Sequence, residues 1–115
     1  MLLQIEERQL ESGITHLQVS GRLALGRESQ RLETISAELA AKGAPKVILD
    51  LTKLEYIDSA GVGVLALMSG RVNDAGGKLA VVAAPGRVLD VLKLTRVDSL
   101  LNMNETMESA AAAVA

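Results

Sequence analysis

Two short runs, residues 47–51 and 79–83, are almost wholly apolar and show no regular alternation of apolar and polar side chains. This pattern is typical of strands that are buried on both faces of a parallel sheet. Between them, residues 59–75 have the length of a helix, and Gly76 and Gly77 follow as turn residues. A strand, a helix and a second strand of these lengths predict a right-handed crossover, which constrains the fold more than any other feature.

The first twenty residues predict a hairpin. Residues 3–6 and 17–20 alternate between apolar and polar side chains, and turn residues lie between them at 11–13. His16 falls on the polar side of the second strand, so we expect it to be an exposed strand residue.

Helical spacing of apolar residues predicts two further helices, over 28–42 and 86–94. A short strand is expected near 99–101, and Asn104 followed by Glu105 predicts the cap of a last helix. The predicted fold class is α/β. We expect one domain, residues 1–115, in which about four helices pack on a single-layer mixed sheet of four to five strands.

Composition excludes several classes of function. The chain has no cysteine and one histidine, which excludes disulfides, thiol catalysis and zinc sites, so no metal and no cofactor are expected. A net charge of −2 and a single aromatic residue, Tyr56, argue against nucleic-acid binding. The longest apolar run, 62–68, is too short to cross a bilayer, and no signal peptide opens the chain. We therefore expect a soluble cytoplasmic protein that does not insert into membranes.

Residues 58–63, Asp-Ser-Ala-Gly-Val-Gly, lie where the central helix is expected to begin. The simplest interpretation is that Asp58 or Ser59 caps this helix by accepting a hydrogen bond from an unpaired backbone N–H. Capping does not explain Gly61 and Gly63, because each glycine inside a helix costs about 1 kcal/mol relative to alanine. Close approach of a neighbouring strand or of a partner is the usual reason for such glycines.

A second interpretation is a dinucleotide-binding fingerprint. Residues 61–66 fit the pattern Gly-x-Gly-x-x-Ala after a strand and at a helix start. However, residues 52–57 separate the strand from the motif, whereas the fingerprint requires a tight turn. The next strand also lacks a final acidic residue that would hold a ribose.

In a third interpretation Ser59 is a phosphoacceptor on an interaction surface. A phosphate there would add about −1.5 to −2 charges at the positively polarised start of a helix, which tolerates anions. Along the same helix, Val62, Ala66, Ser69 and Asn73 recur at helical spacing and predict an exposed stripe of small residues for a partner. The alternative is that Val62 and Ala66 are buried in the core of the domain itself.

The whole chain resembles the STAS domains of bacterial anti-sigma factor antagonists. The resemblance rests on the hairpin, the 47–51 strand, the Asp58-Ser59-x-Gly61-x-Gly63 segment, the Gly-Gly turn and the helix after Pro85. It implies a STAS-like fold and a regulator of transcription that works by partner switching. The unphosphorylated form would bind an anti-sigma factor that is itself a serine kinase, and would thereby free a sigma factor. Phosphorylation would release the partner, and a serine phosphatase would reset the switch. We expect a monomer or a weak dimer.

Carried over by position, the resemblance gives Ser59 as the phosphate acceptor, Asp58 as the residue that shapes the loop and orients the hydroxyl, and Gly61 and Gly63 as residues that permit close contact with the kinase. The loop 21–24 matches the family's second contact region, although Ala24 stands where the family commonly has an acidic residue. Ala60 stands where many relatives carry Ser or Thr, so Ser59 is the only hydroxyl of the motif. The resemblance and the helix face together give these predicted partner-binding residues: Gly21, Arg22, Ala24, Asp58, Ser59, Ala60, Gly61, Val62, Gly63, Ala66, Ser69 and Asn73.

The same resemblance leaves a second function open. Similar STAS domains are permanent, non-switching subunits, for instance docked on the ATPase of a bacterial lipid transporter. Ser59 would then be a cap and contact residue without phosphate. A neighbouring gene for a histidine-kinase-like ATPase or for a transporter ATPase would distinguish the two functions. An enzyme is not expected, because nothing in the sequence pairs a nucleophile with a base and an orienting group.

Overall fold

The long strand β2, Ile14–Leu23, organises the molecule, because three other strands pair with it. The computed structural model describes residues 2–115. In chain order the elements are β1 Gln4–Gln9, β2 Ile14–Leu23, α1 Arg27–Ala41, β3 Lys46–Asp50, β4 Leu54–Ile57, α2 Ser59–Asp74, β5 Lys78–Val82, α3 Arg87–Leu94, β6 Met103–Asn104 and α4 Met107–Val114. Short 3₁₀ turns lie at Glu11–Gly13 and Val97–Leu100.

The sheet is mixed, as predicted. β1 runs antiparallel to β2 and forms the predicted hairpin, with Ile5 opposite Val19. β2, β3, β5 and β6 follow one another as parallel neighbours. β4 is also parallel to β2 and pairs with its last residues, where Leu23 lies opposite Ile57. Because β3 and β5 are neighbours and α2 connects them, the predicted strand–helix–strand unit is confirmed.

Helices cover both faces of this sheet. On one face α1, α2 and α3 enclose the main core, in which Leu17, Leu49 and Leu65 are fully buried. On the other face α4 packs Ala110 and Val114 against four strand residues, Ile14, Ile48, Ala80 and Val82. Successive residues of β3 and β5 therefore enter two different cores, which explains why their sequences do not alternate. Within residues 2–115, none of the helices has the length and apolar character needed to cross a membrane.

Three details of secondary structure differ from the sequence predictions. Residues 52–57, predicted only to separate the 47–51 strand from the motif, contain β4, which forms because the end of β2 extends beyond β3 and offers free backbone groups. The strand expected near 99–101 is instead part of a 3₁₀ turn, and β6 follows it. Asn104 is not the cap of the last helix, because Thr106 Oγ1 accepts the hydrogen bond from Ser109 N at 3.1 Å. With six strands and four helices, the α/β fold class is confirmed with a slightly larger sheet.

His16 is not an exposed strand residue, contrary to the prediction. Its Nε2 lies 3.0 Å from Asp50 Oδ2, and the two side chains are 12% and 7% exposed. The other carboxylate oxygen accepts hydrogen bonds from Thr52 N and Thr52 Oγ1 at 3.0 and 2.6 Å. Burial raises the pKa of Asp50, but the hydrogen bonds from Thr52 and His16 outweigh burial and hold the pKa below its usual value.

Candidate functional site

The predicted site lies where β2 and β4 end and α2 begins, and Asp58 connects these elements. Asp58 is the N-cap of α2, with Oδ1 accepting a hydrogen bond from Gly61 N at 2.9 Å. Its Oδ2 accepts a second hydrogen bond from Leu25 N at 3.1 Å. The backbone N–H of Asp58 donates to Leu23 O at 3.2 Å. One residue therefore ties the loop after β2 to the first turn of α2.

These hydrogen bonds keep the Asp58 carboxylate charged. The Gly61 N–H lowers the pKa of Asp58 below its usual value, burial opposes this effect, and the Leu25 N–H adds to the lowering. The partial positive charge at the start of a helix acts in the same direction. The site therefore carries a fixed negative charge at neutral pH.

Ser59 is the first residue of α2, and its side chain is exposed. The hydroxyl thus stands at the positively polarised end of a 16-residue helix, directly after the charged Asp58. Ala60, the next residue, is half-buried. Of the first two residues of α2, Ser59 is therefore the more accessible to another protein.

Gly61 and Gly63 have different surroundings, although they are two residues apart. Gly61 is buried, and a Cβ atom there would lie 2.8 Å from Ile57 Cγ1 and would collide with the carbonyl oxygen of Leu23. Gly63 is exposed, and a Cβ atom there would have no neighbour within 4 Å. The expectation that Gly61 permits contact with a partner is therefore wrong, because Gly61 allows α2 to lie against the ends of β2 and β4. Gly63 has no such internal role.

The predicted exposed stripe on α2 is wrong at two of its four positions. Val62 and Ser69 are buried, with 7% and 5% of their surface exposed, while Ala66 is half-buried and Asn73 is exposed. Ser69 Oγ donates a hydrogen bond to Leu100 O at 3.0 Å, so the 3₁₀ turn Val97–Leu100 covers this side of the helix. The helix is consequently open along a neighbouring stripe, whose exposed members are Ser59, Gly63, Leu67, Gly70 and Asp74.

The segment 21–24, predicted as a loop, is the end of β2 in its first three residues, and Ala24 follows the strand. It lies beside the start of α2, where Leu23 O accepts the Asp58 N–H. Gly21 is buried, has a φ of +89°, and leaves no room for a Cβ atom against the backbone of Leu2. Its role is therefore internal. Arg22 is exposed, and its guanidinium stacks on the Tyr56 ring at 4.3 Å from the centroid. Ala24 is half-buried.

Leu25 is the residue of this region that the sequence analysis missed. Its side chain is 83% exposed, and its backbone N–H is held by Asp58. The local sequence contains one indication that Leu25 is exposed. Leu25 is followed by Gly26 and lies in the connection between a predicted strand and a predicted helix. Its proximity to Asp58 could not be inferred, since it depends on how β2 and β4 end side by side.

The dinucleotide interpretation does not fit this geometry. The Asp58 carboxylate already occupies the place at the start of α2 where a pyrophosphate would bind, and it accepts the Gly61 N–H. In the part of the chain that the structure describes, no group of three or more His, Asp or Glu residues is arranged to hold a metal ion.

Comparison with solved structures supports this description of the fold. An anti-sigma factor antagonist from Mycobacterium paratuberculosis is 23% identical and has a TM-score of 0.82, with 98% of this chain and 94% of that chain covered. The phosphorylated form of the Bacillus cell fate determinant SpoIIAA is 16% identical, with a TM-score of 0.68 over 97% of this chain and 100% of that chain. The murine anion transporter Slc26a9 is 17% identical, with a TM-score of 0.72 over 87% of this chain but 17% of the transporter. At these identities the likeness concerns the fold.

Sequence comparison assigns the family. Among proteins with curated functions, none matches the sequence. The model of the family described as STAS domain matches residues 7–110, from the middle of β1 to the middle of α4. The chain therefore belongs to the STAS domain family.

Proposed function

We propose that this chain is an anti-sigma factor antagonist in which Ser59 is a phosphorylation switch. The unmodified form binds a cognate anti-sigma factor that is also a serine kinase, and so frees a sigma factor. Phosphorylation of Ser59 weakens this complex, and a serine phosphatase restores the binding form. The observation that carries the proposal is an exposed serine at the first residue of α2, next to a carboxylate that is held charged.

The similar structures support the proposal in two ways. The Mycobacterium protein is an anti-sigma factor antagonist, and SpoIIAA has been observed in a phosphorylated form. Both are covered almost completely by this chain, so the likeness extends over the whole of each protein.

The charge around Ser59 gives the switch a physical basis. A phosphate adds about −1.5 to −2 charges at neutral pH, beside the negative charge of Asp58. Because Ser59 is exposed, this modification leaves the packing of the core unchanged. It alters the charge of the docking surface, where contact with a partner excludes water and strengthens electrostatic repulsion.

The open stripe of α2 suits a partner that approaches closely. Gly63 and Gly70 are exposed and would have no neighbour within 4 Å of an added Cβ atom, so no packing inside the domain requires a glycine. Each costs about 1 kcal/mol of helix stability relative to alanine. Because glycine has no side chain, the backbone of another protein can lie directly against α2 at these positions. Such contact would explain why the helix has glycine there despite the loss of helix stability.

The experiment is phosphorylation by purified kinases. Each histidine-kinase-like anti-sigma factor encoded by the source organism is incubated with the chain and ATP, and the site of modification is read by mass spectrometry. We expect one phosphate at Ser59 and none on Ser59→Ala. Calorimetry should show that Ser59→Ala keeps its affinity for the kinase, while Ser59→Glu binds less tightly. Phosphate at another residue, or none with kinases shown to be active on other substrates, contradicts the proposal.

A non-switching role is the second candidate, and one observation favours it. The fold also occurs as a small part of the Slc26a9 transporter, so a domain of this kind can be one part of a larger assembly. In that case no kinase would phosphorylate Ser59, and the copurified protein would be a transporter component. The phosphorylation assay therefore separates the two functions.

A further inference from the structure

Leu25 is a large apolar side chain held in solvent at the edge of the proposed site. It is 83% exposed, so the core does not require it. Its backbone is fixed, because Leu25 N donates a hydrogen bond to Asp58 Oδ2 at 3.1 Å. A side chain on an already ordered backbone loses less conformational freedom when a partner covers it.

Three arginines flank Leu25. Arg22 precedes it at the end of β2, and Arg27 and Arg31 follow it on successive turns of α1, with all three exposed. Within residues 2–115 the ion pairs are Arg8 with Glu6 and His16 with Asp50, so these three arginines have no ion-pair partner there. Between residues 22 and 31 the sequence has one acidic side chain, Glu28. The Asp58 carboxylate, which accepts the Leu25 N–H, adds a second negative charge, so the residues next to Leu25 carry three positive and two negative charges.

We propose that Leu25 is the specificity-determining anchor for the partner, and that the partner's matching surface is an apolar socket with an acidic rim. This inference rests on the proposed function and adds the chemistry of the partner to it. The basic docking surface, defined as Arg22, Leu25, Arg27 and Arg31, is continuous with the start of α2 through the hydrogen bond between Leu25 and Asp58.

Charge complementarity supports an acidic partner over a basic one. Arg22, Arg27 and Arg31 are exposed and have no ion-pair partner within residues 2–115, so they attract an acidic surface and repel a basic one. An acidic partner is also consistent with the proposed phosphorylation switch, because a phosphate on Ser59 would repel acidic side chains that dock beside it.

The test compares two leucines of equal exposure. Leu25→Asp is measured against Leu94→Asp, since Leu94 is 82% exposed at the end of α3. Binding to each purified anti-sigma kinase of the source organism is measured by calorimetry. We expect Leu25→Asp to weaken binding by about 10- to 100-fold, and Leu94→Asp by less than about twofold. Leu25→Ala should weaken binding less than Leu25→Asp.

A second comparison tests the acidic rim. Arg27→Glu combined with Arg31→Glu is compared with Arg87→Glu combined with Arg96→Glu, whose arginines are also exposed. We expect the first pair to reduce affinity by about tenfold or more, and the second to leave it nearly unchanged. The affinity of the unmodified chain should fall as salt is raised from about 0.05 to 0.5 M.

The outcomes separate this inference from the proposed function. If a kinase phosphorylates Ser59 but binds Leu25→Asp and Leu94→Asp equally, the anchor is overturned and the switch stands. If no kinase binds or phosphorylates the chain, both are overturned. Binding to vesicles of phosphatidylcholine and phosphatidylserine that is lost in Leu25→Asp, with kinase binding unchanged, identifies a membrane-facing surface and overturns the acidic partner. Thermal melts by circular dichroism should match for all variants, since every altered side chain is exposed.

Discussion

Gly61→Ala should lower the free energy of unfolding, whereas Gly63→Ala should raise it. In Gly61→Ala the new methyl group would lie 2.8 Å from Ile57 Cγ1 and would collide with the carbonyl oxygen of Leu23. Neither neighbour can easily move, because Leu23 and Ile57 are paired across β2 and β4, and Leu23 O accepts the Asp58 N–H. Crowding of this kind costs about 1–3 kcal/mol, and a backbone neighbour places it towards the upper end.

The alanine also gains helix propensity, which has to be subtracted. Glycine to alanine in a helix interior is worth about 1 kcal/mol. For Gly61→Ala the net loss in the free energy of unfolding should therefore be about 2 kcal/mol. For Gly63→Ala the gain is unopposed, because nothing lies within 4 Å of the added methyl group, so stability should rise by about 0.5–1 kcal/mol.

Urea unfolding followed by far-UV circular dichroism measures both effects, since the chain has one tyrosine and no tryptophan to serve as a fluorescence probe. With a slope of about 1–3 kcal/mol per molar urea, the midpoints of the two variants should differ by about 1 M or more. Equal stability of Gly61→Ala and the unmodified chain would refute the packing argument. If that variant also lost affinity for the partner, Gly61 would have to be a contact residue after all.

Four further variants, at three positions, test the polar contacts. Asp58→Ala removes the helix cap and the hydrogen bond to Leu25 N, and should lower the free energy of unfolding by about 1–2 kcal/mol in urea unfolding. Asp58→Asn retains one acceptor and should lower the free energy of unfolding by less. Ser69→Ala should lose about 1 kcal/mol by the same measurement, because Leu100 O loses its side-chain donor. Asp50→Asn should lower stability at pH 7 by about 1–3 kcal/mol. The pKa of Asp50 in the folded state is below 3.8, so its carboxylate stabilises the fold above that pH. As pH falls below 3.8, the free energies of unfolding of the unmodified chain and of Asp50→Asn, measured by urea titration, should become equal.

Local patterns were enough to predict the core of the fold and the position of the motif. The apolar runs of β3 and β5, the length of α2 and the cap at Asp58 are properties of neighbouring residues, so a single sequence reveals them. The burial of Val62 and Ser69 was not predictable in this way. Val62 is buried in the main core, and the burial of Ser69 depends on the 3₁₀ turn Val97–Leu100, which lies about thirty residues along the chain and meets α2 through the Ser69–Leu100 hydrogen bond. The pairing of His16 with Asp50 likewise joins two strands that are distant in sequence.

At the start of α2, residues with internal contacts lie next to residues that are open to solvent. Asp58 and Gly61, the inward pair, hold β2, β4 and α2 together, whereas Ser59 and Gly63, the outward pair, are exposed. Variants of the outward pair should therefore change partner affinity at unchanged or higher stability. Variants of the inward pair should lose partner affinity only as far as they unfold the domain. When Asp58 is changed, the Leu25 backbone should be the first to lose its fixed position, because Leu25 N is hydrogen-bonded to Asp58 Oδ2. Amide exchange at Leu25 in Asp58→Asn provides the measurement, because faster exchange there, with the rest of α2 protected, is the result this division requires.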